Sequence, residues 1–399
     1  MRSKFKLNIL AASVLAATSF ASMAEDTNTD SFDSSIDLSF RYRIETVDQA
    51  GFADDAEAST LRTRATVKTK WVDNISTLIE FDDVSEIGWD DYNAGAGTTP
   101  TRTRFPVIAD PQGTEINQAY VQYANGDTKT AFGRQRILVG SQRFVGGVGW
   151  RQNEQTYDSF TYKTKLVNDL EFNYAYVFNV NRIFGESVAG GNHDHNTHLL
   201  NTDYKISGGK LSGYVFSIDN NDALALSNNT FGIRYSGKLD DFSYILEYAT
   251  QSDAGDNPND YSADYYLLDG TYKIDNASFG AGLETLGGDS AGGQGFTTSL
   301  ATLHKFQGWA DVFLATPTTG IEDLYVKGSY KINGYTIKVI YHDFSSEQGG
   351  GDLATELDFL VSKKLTNHLS ALFKFASFNS DSVGIASRDK IWLMLTYKP

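Results

Sequence analysis

Between Thr60 and Lys70 the chain reads TLRTRATVKTK, and its four cations, Arg62, Arg64, Lys68 and Lys70, all fall on even positions. Alternation at period two is the side-chain geometry of a β-strand, so these groups share one face while Leu61, Ala65, Val67 and Trp71 take the other. The rhythm recurs along the chain. Leu170, Phe172, Tyr174, Tyr176 and Phe178 alternate with Glu171, Asn173, Ala175, Val177 and Asn179, and Leu324, Val326, Gly328, Tyr330 and Ile332 with Asp323, Tyr325, Lys327, Ser329 and Lys331. Such segments run from Ser34 to the C-terminus, each close to the ~9–11 residues that a tilted strand needs to cross a bilayer. The connections alternate as well. Hairpin-sized ones lie at 72–74, 125–127, 207–209, 275–276, 333–334 and 365–367, and long polar ones at 84–113, 138–156 and 286–320.

This pattern predicts an all-β fold, a transmembrane antiparallel β-barrel of about 18 strands with short periplasmic turns and long extracellular loops, occupying residues 25–399 as one domain. The last segment, DKIWLMLTYKP, alternates Ile391, Leu393, Leu395 and Tyr397 and is expected to close the sheet against the first strand, leaving no edge. A water-soluble sandwich would share the alternation, but not aromatic residues spread over about eighteen segments behind a secretory leader. That leader is read from Arg2, Lys4 and Lys6, an apolar run from Ile9 to about Ala21, and the small residues Ser22 and Ala24. Residues 1–24 are therefore expected to be a signal peptide cleaved near Ala24, delivering the barrel to the bacterial outer membrane.

Charge sharpens the picture. The formal net charge is −16, and removing the three leader cations makes it 31 − 50 = −19. Yet a lipid-facing Arg or Lys costs about 2–4 kcal/mol at the bilayer midplane, so the cations of 60–70 must point into the lumen. Arg41 and Arg43 join them on the preceding strand, as do Arg134 and Arg136 in KTAFGRQR, where the alternation is less regular. Lys163, Lys165, Arg234, Lys327, Lys331, Lys338 and Lys374 are expected to face inward on later strands. The inward acids of the first and third strands, Asp37, Glu45, Glu80 and Asp82, are four against six cations on the first two strands. Acids such as Asp54, Asp55, Glu57, Asp90 and Asp91 fall in the outer loops. A narrow wet tube lined by one sign of charge favours solutes of the other, and arginine adds a fork that fits carboxylates. The expected function is an outer-membrane channel whose Arg/Lys-lined lumen passes anionic solutes by passive diffusion: acidic oligo- or polysaccharides, or organic acids. A non-selective general porin, with its lumenal charges as a structural ladder, is the alternative.

Two stretches carry a family likeness. AFGRQRILVGSQRFVGGVGWRQNEQTYDSF contains Gly133, Arg134, Gln135, Arg143, Trp150, Arg151 and Asp158, and LATLHKFQGWADVFL contains His304, Gly308, Trp309 and Asp311. Both resemble the alginate-export family of outer-membrane porins. The resemblance implies an eighteen-stranded barrel with an arginine-rich pore constricted by inward loops, with Arg143 and Arg151 added to the pore-lining anion-binding set. Within 298–315, Leu300, Leu303, Phe306, Ala310 and Phe313 recur at three- and four-residue spacing, compatible with a short amphipathic helix. It would either fold into the lumen as a constriction, using His304, Lys305, Trp309 and Asp311, or pack externally on the rim.

Signals for catalysis are weak. GGNHDHNTHLL holds His193, Asp194, His195 and His198, ligand types for a metal, but a solvated outer loop is the expectation, and neither metal nor cofactor is assigned. His342 and Asp343 are adjacent on a strand and so face opposite sides. No G-x-S-x-G, H-E-x-x-H or phosphate loop occurs, which argues against an outer-membrane enzyme. An adhesin would need no conducting lumen. The expected partners are outer-membrane lipid, lipopolysaccharide and an anionic small-molecule or saccharide solute, without nucleic acid, and the chain is expected to be a monomer rather than a trimer.

Overall fold

Alternating sequence becomes alternating structure over residues 33–399, which the computed structural model describes. The expected signal peptide lies outside the described residues. The strands are β1 (Asp33–Gln49), β2 (Ala56–Val72), β3 (Ile75–Asp91), β4 (Gly113–Asn125), β5 (Thr128–Gln135), β6 (Thr156–Val167), β7 (Leu170–Asn181), β8 (Asn192–Ile206) and β9 (Gly209–Ile218). The second half comprises β10 (Asn228–Leu239), β11 (Phe242–Asp253), β12 (Ser262–Ile274), β13 (Ala277–Leu286), β14 (Ile321–Ile332), β15 (Tyr335–Ser345), β16 (Asp352–Lys364), β17 (Leu369–Ser380) and β18 (Arg388–Tyr397). Each strand pairs antiparallel with its neighbours in a single 18-stranded sheet. β1 closes it, pairing Arg41 with Arg62 of β2 on one side and Phe40 with Tyr397 of β18 on the other. Closure satisfies every strand's backbone within the sheet, the condition for a β-structure to sit in hydrocarbon.

The outer face is apolar. Ile79, Phe81, Val121, Phe132, Leu246, Leu268, Leu324, Val326, Leu357 and Leu393 are exposed there. Trp71, Tyr123, Tyr204, Tyr272, Tyr330, Tyr335 and Tyr397 ring the barrel near the short turns, and Trp89, Tyr248, Tyr266 and Tyr341 stand nearer the long loops, as the two interfacial girdles of a membrane barrel require.

Inside, the loops 136–155 and 287–320 do not stay on the rim. They enter the lumen and join each other through a bridge between Val145 and Leu300 and a hydrogen bond from Gly146 N to Leu300 O of 2.8 Å. Phe144, Val145, Phe296, Leu300, Ala310 and Phe313 pack against inward residues of the wall, including Tyr214, Phe216, Tyr265, Phe344 and Phe378. Phe144 meets Tyr265 edge-on at 5.1 Å, and Phe313 lies 5.1 Å from Phe344. This is a hydrophobic core inside a membrane barrel, built by removing apolar surface from lumenal water as in a soluble protein. It fills one side of the lumen. A smaller cluster, including Tyr92, Ala94, Phe105 and Ile108, anchors the loop 92–112 beside Val47, Ala56 and Ala58.

Two local expectations are corrected. The amphipathic helix in 298–315 is absent, and only a 3₁₀ turn, Leu303–Lys305, forms. Gln307, Gly308 and Asp311 adopt positive φ values of 53°, 80° and 60°, which interrupt any helix. Leu300, His304, Trp309, Ala310, Asp311 and Phe313 are all buried, so the apolar spacing reflects a segment enclosed on several sides rather than one helical face. The His193–His198 stretch is not a solvated loop but the start of β8. His193 and His195 are buried on the lumenal side, and His198 points outward, 2.8 Å from the Tyr174 hydroxyl. Among the described residues no group of three or more His, Asp or Glu is arranged to hold a metal.

Candidate functional site: an ion-paired constriction between two cavities

The two inward loops are fastened at the seam where β1 meets β18. From loop 136–155, Arg151 reaches Glu45 of β1 (3.1 Å) and Asp311 of loop 287–320 (2.8 Å). Lys390 of β18 contacts the same two carboxylates, Asp311 at 2.8 Å and Glu45 at 3.4 Å. His304 donates its Nδ1–H to Asp311 (2.7 Å) and accepts from the Lys374 ammonium at Nε2 (2.6 Å). Burial, the Lys374 charge and Arg151 outweigh the pull of Asp311 and hold His304 at about 3, so it is a neutral imidazole. Trp150 stacks on it at 4.5 Å, and Lys374 lies over the rings of Trp309 (3.7 Å) and Trp150 (4.3 Å). Gly308 lets the backbone lie against Glu356 of β16. A side chain there would collide with that carboxylate, which accepts from the N–H groups of Trp309 (2.5 Å) and Ala310 (2.8 Å).

The β1–β5 side of the lumen is different, for here charged groups border open cavities. Arg64 of β2 grips Asp82 of β3 with Nε (2.6 Å) and Nη2 (2.5 Å) and offers Nη1 to Glu154 of loop 136–155 (2.8 Å). Arg136 bonds to both Glu154 and Glu80. The Arg62 guanidinium is 3.7 Å from Glu154, and its Nε and Nη1 make no hydrogen bond among the described residues. Burial alone would push the Glu154 carboxyl up, but Arg64 and Arg136 hold it down at about 2. A cavity of about 570 Å³, lined in part by Asp82, Glu115, Arg134, Asn153 and Asp158, borders this network. A second, of about 810 Å³, is lined by Arg41, Arg62, Arg64, Ser39 and Glu80 and extends to the strand ends at Lys398. The Arg64–Asp82 pair stands between them, one partner in each lining.

The residues expected to line the pore therefore divide. Arg41, Arg62 and Arg64 border the larger cavity, and Arg134 the smaller, where it pairs with Asp158 (2.8 Å) and Glu186. Arg136 borders a further cavity of about 390 Å³ below loop 136–155. Gly133, at φ 124°, passes so close to Ala119 O that no side chain fits, and this kink explains the irregular alternation around Arg134 and Arg136. Lys68 and Lys70 sit half-exposed toward the short turns, paired with Asp37 (3.1 Å) and Asp73 (3.4 Å). Arg43 and Arg151 are buried and border none of these cavities, a correction to the expected set, while Arg143, also buried, borders a small one of about 230 Å³ with Arg234 and Glu247. Arg43 is held by Asp110 (3.0 Å), which loop 92–112 brings to it, and by the Trp150 carbonyl, whereas Arg143 is carried by its own loop to Glu284 of β13 (2.7 Å). Of the constriction-loop residues, His304, Trp309 and Asp311 are buried inside the lumen. Lys305 is exposed and donates to Ser141 O at 2.9 Å. Sequence reasoning missed Glu154, Asp110 and Glu115, since nothing local to a loop acid says which wall it will meet. It also missed the acidic opposite wall, where His342 lies between Asp323 (2.9 Å) and Asp358 (3.6 Å) beside Glu356.

The profile described as alginate export matches residues 32–287. The second resembling stretch, at 304–311, lies beyond that match, yet it is where Arg151 and Trp150 of the first stretch make contact. No curated protein matches the sequence. Among solved structures, OccAB4 of Acinetobacter baumannii superposes with a TM-score of 0.72 at 15% identity, covering 94% of this chain and 100% of that one. OccK11 (OpdR) of Pseudomonas aeruginosa gives 0.70 at 14% identity, covering 92% and 97%. The outer membrane protein opdK of Pseudomonas aeruginosa gives 0.68 at 12%, covering 92% and 98%. At such identities these likenesses speak for the fold. With the family match, the closed barrel and its apolar outer band, the chain belongs to the alginate export family and is an outer-membrane β-barrel porin.

Proposed function

We propose that the chain passes small organic anions bearing carboxylates by diffusion along the β1–β5 side of its lumen. The observation that carries this reading is Arg62, a buried guanidinium on the wall of the 810 Å³ cavity whose Nε and Nη1 lack hydrogen-bond partners among the described residues. Ser39 Oγ on the same wall is likewise unpartnered. A buried donor without an acceptor costs about 1–3 kcal/mol, which a passing carboxylate would recover. Small solutes are favoured over a polyuronate because the loops fill the rest of the lumen with packed side chains. The general-porin reading also has support, since Arg64, Arg134 and Arg136 are already paired with wall acids, as a structural ladder would be. Reversal potentials under a salt gradient in planar bilayers separate the two. Chloride preference, with block by succinate, is expected, and Arg62→Ala is expected to raise the half-blocking concentration about tenfold, the equivalent of one charge-assisted hydrogen bond. Potassium preference would refute the anion reading.

The same proposal takes residues 1–24 as a cleaved signal peptide and the mature chain, 25–399, as one barrel domain. With apolar side chains exposed around the barrel, we infer a monomer in contact with lipid and lipopolysaccharide.

A further inference from the structure

Glu154 stands apart from the other acids of the constriction because it comes from a loop, and it meets three arginines that only two wall carboxylates, Asp82 and Glu80, otherwise serve. Asp82 takes Nε and Nη2 of Arg64, and Glu80 takes Nη2 of Arg136. What remains are Nη1 of Arg64, Nε of Arg136 and the unpartnered edge of Arg62, and all three converge on the Glu154 carboxylate. Three guanidinium edges aimed at one point make a carboxylate site, and here the chain's own carboxylate occupies it.

The position matters too. Asn153 lines the smaller cavity, and Arg62 and Arg64 line the larger, so Glu154 stands where the two would connect. Its neighbours are pinned. Gln152 N donates to Asp110 (2.7 Å) and its side chain to Thr60 Oγ1 (2.9 Å), while Gln155 Nε2 donates to Gly146 O (3.1 Å) and Leu300 O (3.1 Å). The backbone is thus held while the Glu154 side chain keeps three rotatable bonds of its own.

We propose that Glu154 is a tethered stand-in for the solute: it fills the arginine site at rest, and a permeating carboxylate displaces it to cross from one cavity to the other. This rests on the anion reading above and makes Glu154 the residue that sets how strongly solute is bound. A neutral residue at 154 removes the internal competitor and frees one positive charge.

The test uses the purified full-length channel and its Glu154→Gln variant in planar bilayers, with potassium chloride for selectivity and succinate as the blocking probe. Heat-modifiable migration checks the barrel. Expected for Glu154→Gln are a higher chloride-over-potassium permeability ratio and a half-blocking succinate concentration about tenfold lower than wild type. An anion-preferring, succinate-blocked wild type whose Glu154→Gln variant stays within twofold on both readouts overturns this inference alone. A wild type that prefers potassium and ignores succinate overturns the anion reading and this inference together. If Glu154→Gln loses heat modifiability, Glu154→Asp serves instead. It keeps the charge but is too short to bridge Arg64 and Arg136, and a smaller shift in the same direction is expected, whereas an unchanged half-block overturns the inference.

Discussion

Arg62 and Arg64 stand two positions apart on one face of β2 and meet different fates, because Asp82 is opposite Arg64 and no wall acid is hydrogen-bonded to Arg62 among the described residues. That both point inward was legible from alternation and the cost of burying charge in lipid. Which one stays available was not, since it depends on Glu154, ninety residues away from Arg64 in sequence. The same reason hid the burial of Arg43, Arg143 and Arg151, whose partners Asp110, Glu284 and Asp311 are brought by remote loops and strands. Titration at this scale has a definite sign. The Glu154 carboxyl is held at about 2, below its ordinary value of 4.5, so its pairing is complete above about 4.5 and is lost as pH falls through about 2. His304 is neutral down to about 3. Neither group is therefore expected to add a step to ion selectivity between pH 8 and about 5, so reversal-potential profiles of wild type and Glu154→Gln should run parallel there, and a step that disappears with Glu154→Gln would contradict the Glu154 assignment.

At the level of elements, strands and short turns were legible, and the inward loops only partly so. The β-strand signal is local and repeats every two residues. A loop's destination depends on what it meets, and the 300–313 segment is apolar on several sides because wall, loop and seam all cover it. Inward aromatics such as Tyr214, Phe216, Phe344 and Phe378 are likewise invisible as partners of that segment until the barrel is built, because they share inward faces with polar groups such as Ser212, His342 and Lys374, and nothing local names the loop that covers them. The loops gain their anchorage from a few buried charges. Arg151→Ala would leave Glu45 and Asp311 with Lys390 as their shared cation, and removing one member of a buried ion-paired group typically costs about 3–5 kcal/mol. The expected outcome is a lower temperature of heat-modifiable unfolding together with larger and noisier single-channel currents. An unchanged unfolding temperature would mean that the hydrophobic contacts alone hold the loops.

For the whole molecule, a barrel of about 18 strands could be read directly, because lipid outside and water inside impose opposite demands on successive residues of every strand. Closure was legible from the final alternating segment, and it has a bearing on biogenesis. Arg151 binds Glu45 near the start of the described chain, and through Asp311 it is tied to Lys390 near the end. A partly threaded polypeptide lacks one side of that clasp, so the 287–320 insertion is expected to stay loose until the terminal strand has annealed to the first, while Gln152 and Glu154 already tie the 136–155 insertion to β1, β2 and loop 92–112. Resistance of the 287–320 segment to an external protease is thus expected to arrive last during assembly, in step with heat modifiability. Chains truncated before Arg388 are expected to stay cleavable there even when their upstream strands are inserted.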